Sequence, residues 1–472
     1  MAYIKTYRNQ NYLFPPKITD LFSENHVCYL IEQITDSLNY SQFDEKYDGA
    51  GHPAYPPRVN LKILLMAGVD GLTSSRKIAK NASRDAVYIY LSEKTSPDFR
   101  TISEFRKKNL DLLRQTSFQL MKFASENDLI DLSQLSIDGT TIKADANKSK
   151  CVDKETLEKL EKYIENQIKE GIRVDEEEDK VYGEMGMQEL PEDLNDNEKR
   201  KPFVNKIVEE INKSISDNDE KKVDEVKDKI VNAKQTLEDR NQKTYSPTDP
   251  DSRIMINKKG GKELSYNAQI VVDKNGLIIY NDVVQEGDDR YQLVPCIDGV
   301  EKNFGTLKDT KVLADKGYEK AKDLKKLDDR GYNLYVPSKK SKKAEFKYDE
   351  KKDIYISPSR EILNKTGTYF NKKRGEHLTI YKGIVDGKER IIHAIPEDKL
   401  INRIKDKLET PLGKKILRQR QIVEKGFGDI KQNRGLRSFS LRGIQGAKTE
   451  FGLTCIASNL VRINNMIQKP PS

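Results

Sequence analysis

In the stretch LRQRQIVEKGFGDIK, Leu417 to Lys431, one carboxylate, Glu424, stands between two cations, Arg420 and Lys431. Read as a helix at about 100° per residue, the three fall within about 40° of one another, with Phe427 on the same side. Gly426 and Gly428 each cost such a helix roughly 1 kcal/mol against Ala, which points to a close backbone approach there. An acid flanked by Arg and Lys and followed by Arg434, Arg437 and Arg442 suits a metal-binding carboxylate beside phosphates. A solvated charged helix face is the alternative that these residues alone leave open. Two further acids occupy strand ends. Asp138, in LSQLSIDGTTIKADANKSK, closes the first strand of a strand, turn and strand around Gly139, with Asp145 as a nearby competitor. Asp315, in KVLADKGYEK, follows the short apolar strand Lys311 to Ala314, and Gly317 lets the chain turn away. The C-terminal end of a strand is where open α/β sheets place their chemistry.

The pattern around Glu424 resembles the C-terminal signature of bacterial insertion-sequence transposases of the DDE type: Tyr, two residues, Arg, three residues, Glu, six residues, Lys. Arg420, Glu424 and Lys431 match in identity and spacing, and Leu417 departs from the Tyr. SIDGTTIKA and LADKGY resemble the first and second catalytic motifs of that family. TDPDSRIM with YNAQIVVD, SPDFRTISEFRKKN, and the tail RGLRSFSLRGIQGAKTEFGLTCIASNLVRI are similar to its other segments. The resemblance extends to the group numbered eleven-eighty-two, related to group five. It implies a ribonuclease H-like α/β domain in which Asp138, Asp315 and Glu424 are catalytic and hold Mg²⁺ or Mn²⁺, as two ions. Three carboxylates without His or Cys suit such hard cations and not zinc. It further implies that Arg420, Lys431, Arg434 and Arg437 contact DNA, as does Arg253 unless it makes a structural ion pair. The implied reaction is cleavage at the element's ends by water, followed by attack of the freed 3′ hydroxyl on target DNA, in a homo-oligomer and without ATP. A metal-dependent nuclease without strand transfer and a domesticated, non-catalytic DNA-binding protein are the alternatives.

These residues need a frame. Residues 1–128 read as helical, with RVNLKILLMAGVDG as an apolar helix. SSRKIAKNASRD follows as a basic one, and Thr101-Ile-Ser-Glu104 is a capping box opening a long helix to about Ala124. A short helix, a turn and a basic helix permit DNA binding here. Residues 129–150 and 244–337 make the catalytic core. A hairpin, Leu264 to Asp273 and Leu277 to Gln285, turns at Asn275-Gly276. A helix follows from about Tyr291 to Asn303, and then a strand from Tyr332 to Pro337. Between the two halves, residues 151–243 carry stripes at Leu157, Leu160, Ile164 and Ile168 and at Val223, Val226, Ile230, Ala233 and Leu237. They predict an inserted charged helical hairpin or coiled coil. Residues 338–396 begin with lysine-rich SKKSKK and read as a β-rich insertion. Residues 397–472 return to the core.

Composition narrows the functional classes. Lys plus Arg is 84 and Asp plus Glu is 76, so the net charge of +8 says little by itself. Its distribution says more: Lys414 to Arg442 holds nine Lys/Arg against two acids, and Val174 to Lys199 holds eleven acids against two lysines. The basic stretch suits a phosphate backbone and the acidic one does not. Cys28, Cys151, Cys296 and Cys455 form no CxxC pair, which excludes a zinc ribbon and fits a reducing compartment. The N-terminus MAYIKTYRNQ has no apolar core and no run reaches 18 apolar residues. The expectation is a cytoplasmic, nucleoid-associated protein without a membrane span. There is no GxxxxGK[ST] and no GxSxG, which argues against an NTPase or a serine hydrolase.

Overall fold

The computed structural model describes residues 17–45, 54–178, 202–217, 219–240, 242–257, 260–338, 345–372 and 375–468. The N-terminal MAYIKTYRNQ, most of the acidic stretch and most of SKKSKK lie outside the described residues. The chain divides into two compact units. Unit 1 comprises residues 1–142, 267–437 and 448–472, and unit 2 comprises residues 143–266 and 438–447.

In chain order the helices are α1 (Val27–Asp36), α2 (Ser41–Asp44), α3 (Pro57–Val69), α4 (Ser75–Ala82), α5 (Ala86–Leu91), α6 (Phe99–Lys108), α7 (Leu110–Glu126), α8 (Lys154–Glu178), α9 (Pro202–Ser216), α10 (Glu220–Asp239), α11 (Leu293–Phe304), α12 (Ala321–Asp329), α13 (Asp398–Glu409), α14 (Pro411–Arg418), α15 (Gln421–Gly428) and α16 (Gly443–Ile467). The strands are β1 (Gln134–Lys143), β2 (Val152–Asp153), β3 (Thr244–Tyr245), β4 (Arg253–Ile256), β5 (Lys262–Val272), β6 (Ile278–Val284), β7 (Lys311–Leu313) and β8 (Asn333–Tyr335), followed by a five-stranded antiparallel sheet between Lys347 and Ala394.

In unit 1 the sheet runs β5, β1, β7, β8, with β6 paired antiparallel to β5. β7 is parallel to both β1 and β8. The expected hairpin is present, its turn residue Gly276 at φ +86° where a side chain would be strained. The expected strand, turn and strand around Asp138 is instead one continuous strand, β1. Gly139 is there to admit neighbouring side chains, described below, and makes no turn. Helices α1 to α7 do not stand apart: Leu61, Leu65 and Ile102 share one buried core with Leu135, Ile137 and Val312 of the sheet and with Ile456 and Leu460 of α16. A Cβ on Gly68 would stand 2.9 Å from the Ala457 methyl, so α3 and α16 pack backbone to backbone. The long helix expected from Thr101 is two helices. Asp98 caps the first by accepting from the Thr101 N–H at 2.7 Å. Asn109 interrupts it, its amide donating to the Phe105 carbonyl at 2.7 Å.

In unit 2 three helices close around Leu157, Leu160, Ile164, Val226, Ile230, Ala233 and Leu237, the stripes read from the sequence. A third helix, α9, inserts Val204, Ile207, Val208 and Ile211 between them. The two stripes read from the sequence lie on α8 and α10, so the expected two-helix hairpin is a three-helix unit. β2 pairs antiparallel with β3 at the base, and β4 pairs with the first residues of β5. Among the described residues no helix is long and apolar enough to cross a membrane. Ile230 is 1% exposed. Ile230→Ala is therefore expected to cost about 2–5 kcal/mol, read as an earlier calorimetric transition. An unchanged melt would remove Ile230 from the core of unit 2.

Candidate active site

Strand register brings the first two acids together. In the parallel pair β1–β7, Ser136 is level with Leu313. That is the last pair of the ladder; Asp138, still within β1, and Asp315, past the end of β7, each lie two residues beyond it. Asp315 then caps the turn Lys316–Tyr318, its Oδ1 accepting from the Gly317 N–H at 2.6 Å. Asp138 Oδ1 accepts from the Gly139 N–H at 3.0 Å.

The third acid arrives on a broken helix. The stretch expected as one helix is α14, a break at Gln419–Arg420, α15, and then a π-helical turn at Asp429–Asn433. Gly426 has the close approach its cost suggested, since a Cβ there would lie 3.3 Å from Ile270 Cδ1 of β5. Gly428 has no such neighbour. Arg420 binds two of the acids: its Nη2 donates to Glu424 Oε1 at 2.7 Å and its Nη1 lies 3.6 Å from Asp138 Oδ2. Asp315, Arg420 and Glu424 line a cleft of about 510 Å³. Lys316, Lys414 and Arg418 line it as well, as does Leu417. The basic run beginning at Lys414 was the sequence signal for the last two cations.

The other named cations do different work. Lys431, one turn beyond α15, donates from Nζ to Thr140 Oγ1 at 2.7 Å and to the Thr141 carbonyl at 3.2 Å, tying its turn to β1. The π-turn moves it off the face that regular helical spacing assigns. Arg434 turns inward: its side chain is 9% exposed, paired with Asp429 at 3.2 Å and donating to the Val69 carbonyl. Arg437 is exposed, its Nε donating to the Lys431 carbonyl at 3.3 Å. Arg253, in unit 2, donates to the carbonyls of Pro250, Asp251 and Ser252 at 2.7–3.0 Å. Asp145, also in unit 2, pairs with Arg442 at 2.9 Å.

Sequence reading missed a fourth acid. Asp289 follows β6 and accepts at Oδ1 from Asn267 Nδ2 and Gln269 Nε2, both at 2.7 Å. The adjacent acids in EGDDRYQ were the only hint. Burial pushes its carboxyl up, against those two hydrogen bonds, and the Asp315 charge pushes the same way. Burial likewise raises Asp138 to about 6, with Arg420 and the Gly139 N–H opposing and the charges of Asp315 and Asp289 adding. Asp315 and Glu424 line the cleft, and Asp138 is joined to it through Arg420; their oxygens are the hard donors that Mg²⁺ or Mn²⁺ takes. In the conformation described, no three His, Cys, Asp or Glu side chains among the described residues are close enough to hold a metal ion. Arg420 spans two of the three acids instead.

Family profiles match most of this frame. The Transposase DDE domain matches residues 240–460, which include Asp315 and Glu424 and leave out Asp138. The Transposase domain (DUF772) matches residues 16–108, the helices α1 to α6. The chain belongs to the DDE transposases of insertion sequences. No curated protein matches it.

The environment of Asp138 has a measurable consequence. Its folded value of about 6 lies above the ordinary 3.8. The stability linked to this group is therefore fully present below the ordinary value and is lost as pH rises through the folded one. In chelator at neutral pH, Asp138→Asn is expected to melt above the unmodified protein, by no more than about 1–3 kcal/mol at about 1.4 kcal/mol per pKa unit. The gain should fade as pH falls from about 6 toward 4. A lower melting point for the variant at neutral pH would contradict the burial cost.

Proposed function

We propose that this transposase cleaves DNA at the ends of its element and joins the freed 3′ ends to target DNA, and that Asp138, Asp315 and Glu424 hold the Mg²⁺ or Mn²⁺ ions for both steps. The observation that supports this reading is the parallel pairing of β1 with β7, which ends two residues before Asp138 and Asp315, beside a cleft lined by Asp315 and Glu424. The core is then ribonuclease H-like, with α15 as the helix that packs on the sheet and delivers Glu424. Such ions, when bound, lower the pKa of an attacking oxygen and take up charge on the leaving one.

The chain's own groups have separate tasks. Asp138 would hold an ion in its ionised form. Arg420, now paired with Asp138 and Glu424, would be free for a DNA phosphate once an ion took its place, and a guanidinium can donate two parallel hydrogen bonds to one. Lys316, Lys414 and Arg418 line the cleft and supply the positive field a phosphodiester needs. Arg437 extends that field from its exposed position, while Lys431 and Arg434 hold the frame. In the first step the oxygen of water attacks the phosphorus and the 3′ oxygen leaves as a hydroxyl. In the second that hydroxyl attacks a target phosphodiester and displaces the target's own 3′ oxygen. Hydrolysis of the first phosphodiester is downhill and strand transfer exchanges one phosphodiester for another, so no ATP is required. The active complex is proposed to be a homo-oligomer, because two ends are joined.

Asp138→Asn, Asp315→Asn and Glu424→Gln are each expected to abolish Mg²⁺-dependent cleavage of end-containing DNA while leaving binding to it nearly intact. Full cleavage by any one of them would remove that residue from the site. Cleaved ends that never appear in target DNA would favour the nuclease instead. The cations separate by salt dependence. Arg418→Ala and Arg437→Ala should each reduce the log K against log [salt] slope by about one. Arg434→Ala should leave the slope alone and lower the melting temperature, because Arg434 is a buried partner of Asp429. A slope change for Arg434→Ala with an unchanged melt would reverse that assignment.

A further inference from the structure

Beside the two aspartates lies a buried polar cluster that the reaction as described does not use. Gln269 of β5 is 1% exposed, Asn267 2% and Tyr318 0%. A polar amide is kept in such a place only when its hydrogen bonds are made, and here they are. Gln269 Oε1 accepts from the Tyr318 hydroxyl. Gln269 Nε2 donates to Asn267 Oδ1 at 3.0 Å and to Asp289 Oδ1 at 2.7 Å. Asn267 Nδ2 donates to the same Asp289 oxygen at 2.7 Å and to the Glu286 carbonyl at 3.1 Å.

The placement of this one amide matters more than its satisfaction. Tyr318 belongs to the turn that Asp315 caps. On the other side, a Cβ on Gly139 would lie 2.2 Å from Gln269 Nε2 and 2.5 Å from Asp289 Oδ1. Glycine after Asp138 is thus what lets β1 close onto the cluster. One planar side chain therefore bonds the turn beginning at Asp315 and packs against the backbone next to Asp138. Asp289 adds a carboxylate whose charge is met by two amides and by no cation in that pair of bonds, which deepens the negative potential around Asp138 and Asp315.

We propose that Gln269, Asp289 and Tyr318 are positioning residues that set the spacing of Asp138 and Asp315 for a divalent cation. This rests on the metal-holding role proposed for those two aspartates. Gln269 and Tyr318 fix the distance, and Asp289 anchors Gln269 while raising the affinity of the site for a cation. Outer groups that orient metal ligands typically change affinity roughly 10–100-fold when removed.

The test measures Mn²⁺ binding by the full chain through the electron paramagnetic resonance signal of free Mn²⁺, alongside the Mg²⁺ concentration for half-maximal cleavage. Tyr318→Phe removes one hydroxyl, Gln269→Leu removes the amide at similar volume, and Asp289→Asn keeps the shape and removes the charge. Each is expected to weaken Mn²⁺ binding by roughly tenfold or more and to raise the Mg²⁺ requirement in step, with affinity for end-containing DNA retained. Asp138→Asn serves as the reference. If Asp138→Asn loses Mn²⁺ while Tyr318→Phe and Asp289→Asn bind it as the unmodified chain does, the cluster only packs the core and the proposal falls. If Asp138→Asn and Asp315→Asn themselves bind Mn²⁺ normally, the metal-holding reading falls first and this proposal with it. Tyr318→Phe decides the matter if Gln269→Leu does not fold, since it deletes one oxygen and leaves the ring in place.

Discussion

The parallel pairing of β1 with β7, with Asp138 and Asp315 two residues past its last pair, is the constraint on which the described site depends. The β1–β7 pairing fixes the backbone two residues before each aspartate. Carboxylates in that position must be neutralised, protonated or bridged. Arg420 stands 3.6 Å from Asp138, and burial first, with the charges of Asp315 and Asp289 adding to it, pushes the Asp138 carboxyl up to about 6. A divalent cation would be the bridge. The arrangement is costly for the fold and useful for binding a cation, because a site that repels itself gains most from an ion that ends the repulsion.

The helices before the sheet serve the same end. The loop after α3 meets the π-turn after α15 so closely that a Cβ on Gly71, at φ +68°, would stand 2.6 Å from the Asn433 carbonyl oxygen. Arg434 closes the contact by bonding Val69 on one side and Asp429 on the other. The turn that carries Lys431 back to Thr140 is thereby fixed from outside, and α15 with it.

Much of this was readable in the residues. The hairpin at Asn275-Gly276, the strand before Asp315, the apolar α3 and the stripes of α8 and α10 follow from local patterns that tertiary packing did not overturn. What was not readable has physical reasons. The continuity of β1 through Gly139 depends on Gln269 and Asp289, which are remote in sequence, so the glycine looked like a turn. The directions of Lys431 and Arg434 depend on one π-turn that changes the angular count, and both cations looked like surface groups. Gln269 was hidden inside YNAQIVV, where a buried amide resembles the polar half of an alternating strand. The spacing of Arg420 and Glu424 was visible, but their mutual ion pair, at i and i+4, was the reading that competed with phosphate contact.

The attachment of unit 2 carries a consequence for how such chains vary. The Ala144 N–H donates to the Leu264 carbonyl at 2.9 Å, so the insertion leaves and re-enters through neighbouring hydrogen-bonded residues. Its ends are closed whatever lies between them, and the entropy of closing a longer or shorter excursion changes only slowly with length. The excursion is thus a graft on a sealed stem. Residues added to or removed from the excursion should therefore leave the Ala144–Leu264 closure in place.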